Sequence, residues 1–237
     1  MLKLQVFAPE AGLQNPSPFG MKAIGLMQMS GLEYRLVAGD VRKSPKGKMP
    51  VLIDGNKVIP DTAHIQAYLE TAHNIKFDVG LGGEQLAIAQ AFRHLSEDSL
   101  YWAITYSRWM ENGPIVREAL FGNVPAIARN LVFFMVQKQI KNALHGQGLG
   151  RHSPMEIYRF AAMDLISIEN YLGNKDFMFG STATSIDASI YAMLSSIAMP
   201  AFDTPLKDQL KSCKSLLDYM VRFNRKYQIG GWVEQGI

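Results

Sequence analysis

The fold of this 237-residue chain is decided by one stretch, which reads Lys46-Gly47-Lys48-Met49-Pro50-Val51-Leu52-Ile53-Asp54-Gly55-Asn56-Lys57-Val58-Ile59-Pro60-Asp61-Thr62. Val51–Ile53 predicts a short apolar strand, Asp54–Asn56 is typical of a tight turn, and Lys57–Ile59 predicts the returning strand. The residues that follow carry apolar side chains at helical spacing. The stretch therefore predicts strand, turn, strand and helix, preceded by Pro50, which cannot donate a hydrogen bond to a sheet.

The residues before this stretch predict a strand, a helix and a second strand. Leu2–Phe7 alternates as a strand does, and Glu33–Val37 predicts another strand. Between them, Ser17 is a good helix N-cap, Pro18 suits the first helical position, and Gly31 suits the helix end. A β-α-β unit followed by a β-β-α unit is the order of a thioredoxin-like domain.

The rest of the chain predicts a second, all-helical domain, so the fold class is α/β plus all-α. We assign residues 1–73 to the thioredoxin-like domain, 74–83 to a polar, glycine-rich linker, and 84–237 to the helical domain. Within the helical domain, Thr184 and Asp187 form a Thr-x-x-Asp capping box before an apolar helix. We expect this box to serve folding and not chemistry.

Composition narrows the classes of function. The sequence is 48% hydrophobic and 19% charged, as in globular proteins with a large core. A net charge of +3 without a basic stripe argues against nucleic-acid binding. The single cysteine, Cys213, excludes an intramolecular disulfide, and His145 and His152 lack ligand partners at metal-binding spacing. Without a signal peptide or a long apolar run, we expect a cytoplasmic protein that uses neither membrane nor metal.

The proline stretch resembles the glutathione-binding half of the glutathione S-transferase superfamily. The resemblance implies that Pro50 is cis and that Met49 offers its main-chain N–H and C=O to the cysteinyl backbone of glutathione, as an added strand does. It also implies that Asp61 faces the γ-glutamyl ammonium while Thr62 and its helix N-terminus bind the γ-glutamyl carboxylate. The family more often has Glu or Gln followed by Ser there. Lys48 is a candidate partner for a glutathione carboxylate, and the alternative is that Lys48 is simply solvated. For the whole stretch, the alternative to a glutathione site is an ordinary β-hairpin followed by a capped helix.

Four segments, one of which overlaps the proline stretch, are together similar to a narrower branch, the failed-axon-connections/metaxin-like group, which has bacterial members. They are Ser44–Pro50, Asp98–Trp102, Tyr106–Trp109 and Gly148–Ser153. This similarity covers nearly the whole chain.

Ser17 is the candidate for activating the glutathione thiol. In relatives, the start of this helix carries the activating residue, and some have a cysteine where this chain has Gly20. A hydroxyl and a helix N-terminus both lower the pKa of a nearby thiol, although Ser17 also suits a plain helix cap. Asn15 and Gln14 are back-up donors. Cys213 lies far along the chain, so we do not expect a mechanism based on a protein thiol.

The first helix of the second domain is expected to line the pocket of a hydrophobic co-substrate. Tyr101, Tyr106 and Arg108 are the candidates, and core packing is the alternative reading for the aromatic residues. Glu97 and Asp98 are adjacent and point to different sides of a helix, so we interpret them as solvated residues or contacts to the N-terminal domain.

Two functions follow from these residues and the resemblance. The first is an enzyme, expected as a homodimer, that binds reduced glutathione and transfers its thiol to a hydrophobic electrophile. The second is a non-catalytic glutathione-transferase-like module for binding or interaction. The absent cysteine weakens the catalytic interpretation, whereas the Met-Pro and Asp-Thr pairs favour glutathione binding.

Overall fold

The computed structural model describes residues 1–9, 15–122, 124–198 and 203–229. Gln14, a predicted back-up thiolate donor, lies outside these residues. The N-terminal elements are β1 (Leu2–Val6), α1 (Pro18–Ser30), β2 (Tyr34–Ala38), a 3₁₀ turn (Val41–Lys43), β3 (Val51–Asp54), β4 (Lys57–Pro60) and α2 (Thr62–Ala72). The sheet order is β2-β1-β3-β4, with β1 parallel to β2 and the other pairs antiparallel. The predicted thioredoxin-like order is confirmed.

The signals around α1 act as the sequence predicts. The Ser17 hydroxyl oxygen accepts a hydrogen bond from the Gly20 N–H at 3.4 Å, and Pro18 occupies the first turn. Gly31 ends the helix with a φ of 67°, a left-handed conformation that glycine adopts without steric cost.

The sheet gathers three chain segments at one edge. In the antiparallel ladders, Val51 lies opposite both Gln5 on β1 and Pro60 on β4. The end of β1, the beginning of β3 and the end of β4 therefore lie side by side. The loop into α1, the segment before β3 and the beginning of α2 all start from this edge, which explains how residues distant in sequence are brought together.

The regular elements of the second domain, in its described part, are helices, as predicted, apart from an isolated β-bridge between Phe177 and Gly180. Its elements are α3 (Gly83–His94), a first π-helical segment (Leu95–Leu100), α4 (Tyr101–Tyr106), a second π-helical segment (Ser107–Glu111), α5 (Gly113–Phe121), α6 (Ala126–Gln147), a 3₁₀ turn (Leu149–Arg151), α7 (Pro154–Leu172), α8 (Ser185–Ala198), α9 (Pro205–Ser212) and α10 (Lys214–Tyr227).

The π-helical segments were not predicted. Helical spacing predicts one continuous helix after the linker, and the structure widens that helix at Leu95–Leu100 and again at Ser107–Glu111. Each π turn adds a residue to the helical repeat and rotates the side chains that follow. Side-chain directions along this helix therefore cannot be read from a uniform period of 3.6 residues.

Helix α1 is packed between the N-terminal sheet and the second domain. Its residues from Gly20 to Met27 are all buried. A Cβ atom added at Gly25 would lie 3.3 Å from the Ala188 side chain, so glycine allows the close approach of α1 and α8. The ammonium of Lys22, fully buried on α1, pairs at 2.6 Å with the carboxylate of Glu97 from the first π-helical segment. Contacts with both neighbours thus fix α1.

Buried polar groups at the beginning of α8 are hydrogen-bonded to one another. The Asp187 carboxylate accepts hydrogen bonds from the Thr184 N–H at 2.7 Å, the Thr184 hydroxyl at 2.9 Å, the Met178 N–H at 2.9 Å and the Tyr219 hydroxyl at 3.1 Å. Burial raises the pKa of Asp187, and these hydrogen bonds oppose that rise. The carboxylate of Asp78 also accepts a hydrogen bond from the N–H of Ser185 at 2.8 Å, which connects the linker to the beginning of α8.

The described helices include none with the length and apolarity needed to cross a bilayer. Within the same residues, no group of three or more His, Cys, Asp and Glu side chains is placed to hold a metal ion.

We predict that Asp187→Ala lowers the free energy of unfolding by about 3 kcal/mol, because buried donors lose their acceptor. Thr184→Ala should cost about 1 kcal/mol, because the Asp187 carboxylate loses the hydrogen bond from the Thr184 hydroxyl. Denaturant unfolding followed by circular dichroism measures both. Asp208→Ala is the matched control, since its side chain is 69% exposed and its ion pair with Lys211 is superficial. An Asp187→Ala protein as stable as the control would contradict the prediction.

Candidate functional site

The predicted binding residues of the N-terminal domain meet at the sheet edge described above. The Asp61 N–H donates to the Pro50 carbonyl at 3.2 Å, which joins the beginning of α2 to the segment before β3. Ser17 begins α1 at the same edge. The structure thus brings together Ser17, Met49, Pro50, Asp61 and Thr62.

Met49 presents its main chain and hides its side chain. The peptide bond between Met49 and Pro50 is cis, as the resemblance implies. The Met49 side chain is only 6% exposed and lies against Gly39, where an added Cβ would be 2.5 Å from the Met49 Cε. Among the described residues, the N–H and C=O of Met49 have no hydrogen-bond partner. A donor and an acceptor are thus available for an extended peptide.

The junction of β4 and α2 combines backbone strain with a helix N-terminus whose chemistry suits an anion. Asp61 has a φ of 79°, an uncommon conformation for a residue other than glycine, and such outliers cluster at functional sites. Its Oδ1 accepts from the Ala63 N–H at 2.9 Å. Within the described chain, the N–H groups of Thr62 and His64 have no partner. A helix N-terminus with unpaired donors suits a carboxylate.

Lys48 is exposed, and its side chain has no ion pair with any described residue. Its carbonyl oxygen accepts a hydrogen bond from the Ser44 hydroxyl. The structure therefore leaves its ammonium available without giving it a partner.

The turn before α1 is built by Asn15. Its Nδ2 donates to the Phe7 carbonyl at 2.7 Å, and its Oδ1 accepts from the Ser17 N–H at 2.9 Å. A Cβ added at Gly20 would lie 2.1 Å from that Oδ1. The buried Asn15 side chain thus occupies the space that a cysteine at position 20 would need. Since its amide is engaged in the turn, Asn15 is better described as a scaffold than as a thiolate donor.

Tyr101 and Arg108 reach the same end of α1 from the second domain. The rings of Tyr101 and Phe19 have centroids 5.0 Å apart. Arg108 donates from Nη1 to the Pro16 carbonyl at 2.7 Å and from Nη2 to the Ser196 carbonyl, also at 2.7 Å. The guanidinium is therefore bound to main chain and does not form the free pocket wall that we expected.

Tyr106 points elsewhere. Its ring makes an edge contact of 6.3 Å with Tyr158 on α7, and the Tyr158 hydroxyl donates to the Glu111 carboxylate. Burial and the nearby Glu111 raise the pKa of Tyr106. The structure thus groups Tyr106 with α7 and does not bring it to Tyr101 and Arg108.

Sequence reasoning did not identify Lys22 or Arg93. Burial lowers the pKa of Lys22, and its pairing with Glu97 opposes this change. Arg93 Nη2 lies 3.3 Å from both the Gln66 Oε1 and the Ser185 hydroxyl, so it links α2 to α8. One sequence signal could have indicated the buried ion pair: Lys22 is the only charged residue of the otherwise uncharged helix α1. Glu97 is the contact to the N-terminal domain that we had considered.

Comparisons with known proteins identify the family. The N-terminal domain model of glutathione S-transferases matches residues 18–113, and the C-terminal domain model matches residues 161–223. An isoprene-epoxide–glutathione S-transferase of Rhodococcus is 30% identical over 97% of this chain and 100% of its own length.

Two further comparisons cover most of the chain. Failed axon connections of Drosophila melanogaster is 27% identical over 95% of this chain, which spans 58% of that protein, and metaxins also match. A glutathione S-transferase of Ceriporiopsis subvermispora, solved in complex with glutathione, shares the fold with a TM-score of 0.69 at 16% identity, over 95% of this chain and 97% of that one. The chain belongs to the glutathione S-transferase superfamily, and it matches members of the failed-axon-connections/metaxin-like branch.

Proposed function

We propose that this protein binds reduced glutathione at the sheet edge and activates its thiol for transfer to an electrophilic small molecule. The observation that carries the proposal is the main chain of Met49, which has no hydrogen-bond partner among the described residues, beside N–H groups at the beginning of α2 that likewise have none there. Together they offer hydrogen bonds to a peptide backbone and to a carboxylate at neighbouring points. Glutathione contains both groups.

The γ-glutamyl end of the tripeptide fits the beginning of α2. Its carboxylate would accept from the N–H of Thr62 and be favoured by the partial positive charge of the helix end. Asp61 uses Oδ1 for the Ala63 N–H and keeps Oδ2 for the γ-glutamyl ammonium. The exposed Lys48 is a candidate partner for the other carboxylate.

The cysteinyl sulfur would then lie near Ser17. The Ser17 oxygen accepts from Gly20, so its proton remains available for donation to a thiolate. A donated hydrogen bond and the N-terminus of α1 both favour the ionised sulfur. No protein-centred thiol is required for this chemistry.

The transfer step is a nucleophilic substitution or ring opening. The thiol proton leaves to solvent, the sulfur bonds to the electrophilic carbon, and the bond to the leaving group breaks with its electron pair on that group. In an epoxide the leaving group is the ring oxygen, which then takes up a proton, so the reaction is a net addition. The name of the Rhodococcus relative makes small epoxides the first class to assay.

A non-catalytic binding module is the second candidate. It is favoured by the similarity to Failed axon connections and metaxins and by Gly20, which leaves the start of α1 without a thiol. Saturable glutathione binding without turnover of any electrophile would support it.

We predict that Asp61→Asn weakens glutathione binding about tenfold, or roughly 1.4 kcal/mol, because the ammonium loses its counter-charge. Asparagine keeps the cap to Ala63 and tolerates a positive φ, so the melting temperature should change little. Calorimetric titration and thermal unfolding measure the two effects. Asp208→Asn, on the surface of α9, is the control, and equal affinities in both variants would rule out the assigned role of Asp61.

We predict that Ser17→Ala lowers kcat at neutral pH by about tenfold or more, while KM for glutathione changes by less than about threefold. The alanine removes the donor to the sulfur and leaves the tripeptide contacts in place. Ser17→Thr keeps the hydroxyl and should retain most of the activity. Steady-state kinetics with a small epoxide measures these values, and full activity in Ser17→Ala would reduce Ser17 to a helix cap.

A further inference from the structure

Arg108 connects two segments that flank the proposed sulfur position. Its side chain extends from the second π-helical segment and donates to the carbonyls of Pro16 and Ser196. Pro16 immediately precedes Ser17, whereas Ser196 lies in the last turn of α8. The guanidinium thus joins the turn before α1 to the core helix of the second domain.

Among the described residues, no carboxylate balances the charge of Arg108. None of their Asp or Glu side chains lies within 4.0 Å of its guanidinium nitrogens, and none of them supplies an acceptor for its buried Nε. Burial lowers the pKa of Arg108 to about 10, so the group still carries its charge at neutral pH. The nearby phenol of Tyr101 opposes this lowering of the Arg108 pKa.

Such an arrangement is costly unless a function or a partner explains it. Arg108 is half-buried as a residue, but its Nε is withdrawn from solvent. A cation in such a position normally pairs with an anion, and two carbonyl oxygens compensate only part of the desolvation. The negative end of the α8 dipole at Ser196 contributes some compensation. A further anion close to Ser17 would complete it, and the proposed function places the glutathione thiolate there.

We propose that Arg108 is a positioning residue that fixes the Pro16–Ser17 main chain and supplies a positive charge that favours ionisation of bound glutathione. This inference rests on the proposed function and extends it to a residue outside the glutathione contacts. The turn is held from two sides, by Asn15 through the Ser17 N–H and by Arg108 through the Pro16 carbonyl. The Ser17 hydroxyl is thereby oriented by both domains.

The test is the pKa of the glutathione thiol in the binary complex, measured from the ultraviolet absorbance of the thiolate as pH is varied. A free thiol of this kind ionises near pH 8.5, and wild-type protein should lower that value. Arg108→Gln should raise the pKa of the bound thiol by about one unit relative to wild type and lower kcat at neutral pH about tenfold. KM for glutathione should change by less than about threefold, and raising the pH should restore kcat.

Two variants separate charge from structure. Arg108→Lys keeps the charge but can satisfy fewer carbonyl groups, so its bound thiol should retain most of the lowered pKa. Arg93→Gln removes another arginine that links the domains through Gln66 and Ser185, and it should leave the thiol pKa unchanged even if stability falls.

An Arg108→Gln complex with the wild-type thiol pKa would overturn the inference. If Arg108→Gln does not fold, Arg108→Lys is the deciding variant. The inference would equally be overturned if folded Arg108→Lys protein bound glutathione and left the thiol at its ordinary pKa. Wild-type protein that fails to bind glutathione would instead refute the proposed function, so the two failures are distinguishable.

Discussion

Helix α1 is held on two sides, by the sheet of its own domain and by α8 of the second domain, and the position of the site depends on this packing. Gly25 allows α8 to approach, and the buried pair of Lys22 and Glu97 fixes the register of α1 against the first π-helical segment. Because packed interiors deform little, the N-terminus of α1 is fixed relative to Met49 and Asp61. The proposed position of the glutathione sulfur beside Ser17 would then depend on both domains.

Local signals were sufficient for most of the fold and for the main chain at which we propose that glutathione binds. Helix α1 begins after Ser17, a good N-cap, and ends at Gly31, which adopts a left-handed conformation easily. The turn at Asp54–Asn56 fixes the β3–β4 hairpin. The Met49–Pro50 pair directly precedes the β3–β4 hairpin, and the Asp61–Thr62 pair directly follows it at the beginning of α2. Their proximity therefore follows from a register that the sequence itself specifies.

The contacts from the second domain could not be predicted, because they depend on distances between elements. Arg108 and Tyr106 are two residues apart and were assigned to one pocket wall, yet Arg108 contacts the Pro16 carbonyl and Tyr106 contacts Tyr158 on α7. Helical phase on either side of a π turn does not follow from spacing alone. The structural role of Asn15 could not be predicted either, because its side chain occupies the space that Gly20 leaves open.

The proposed function requires that glutathione ionise as it binds, and proton release during binding tests this most directly. Calorimetric titration of the full chain at neutral pH, in two buffers with different ionisation enthalpies, measures the number of protons released. We predict saturable binding with release of a fraction of a proton approaching one, and no such release with S-methylglutathione, which has no thiol proton. Absence of saturable binding, or identical proton release with the two ligands, would contradict the account.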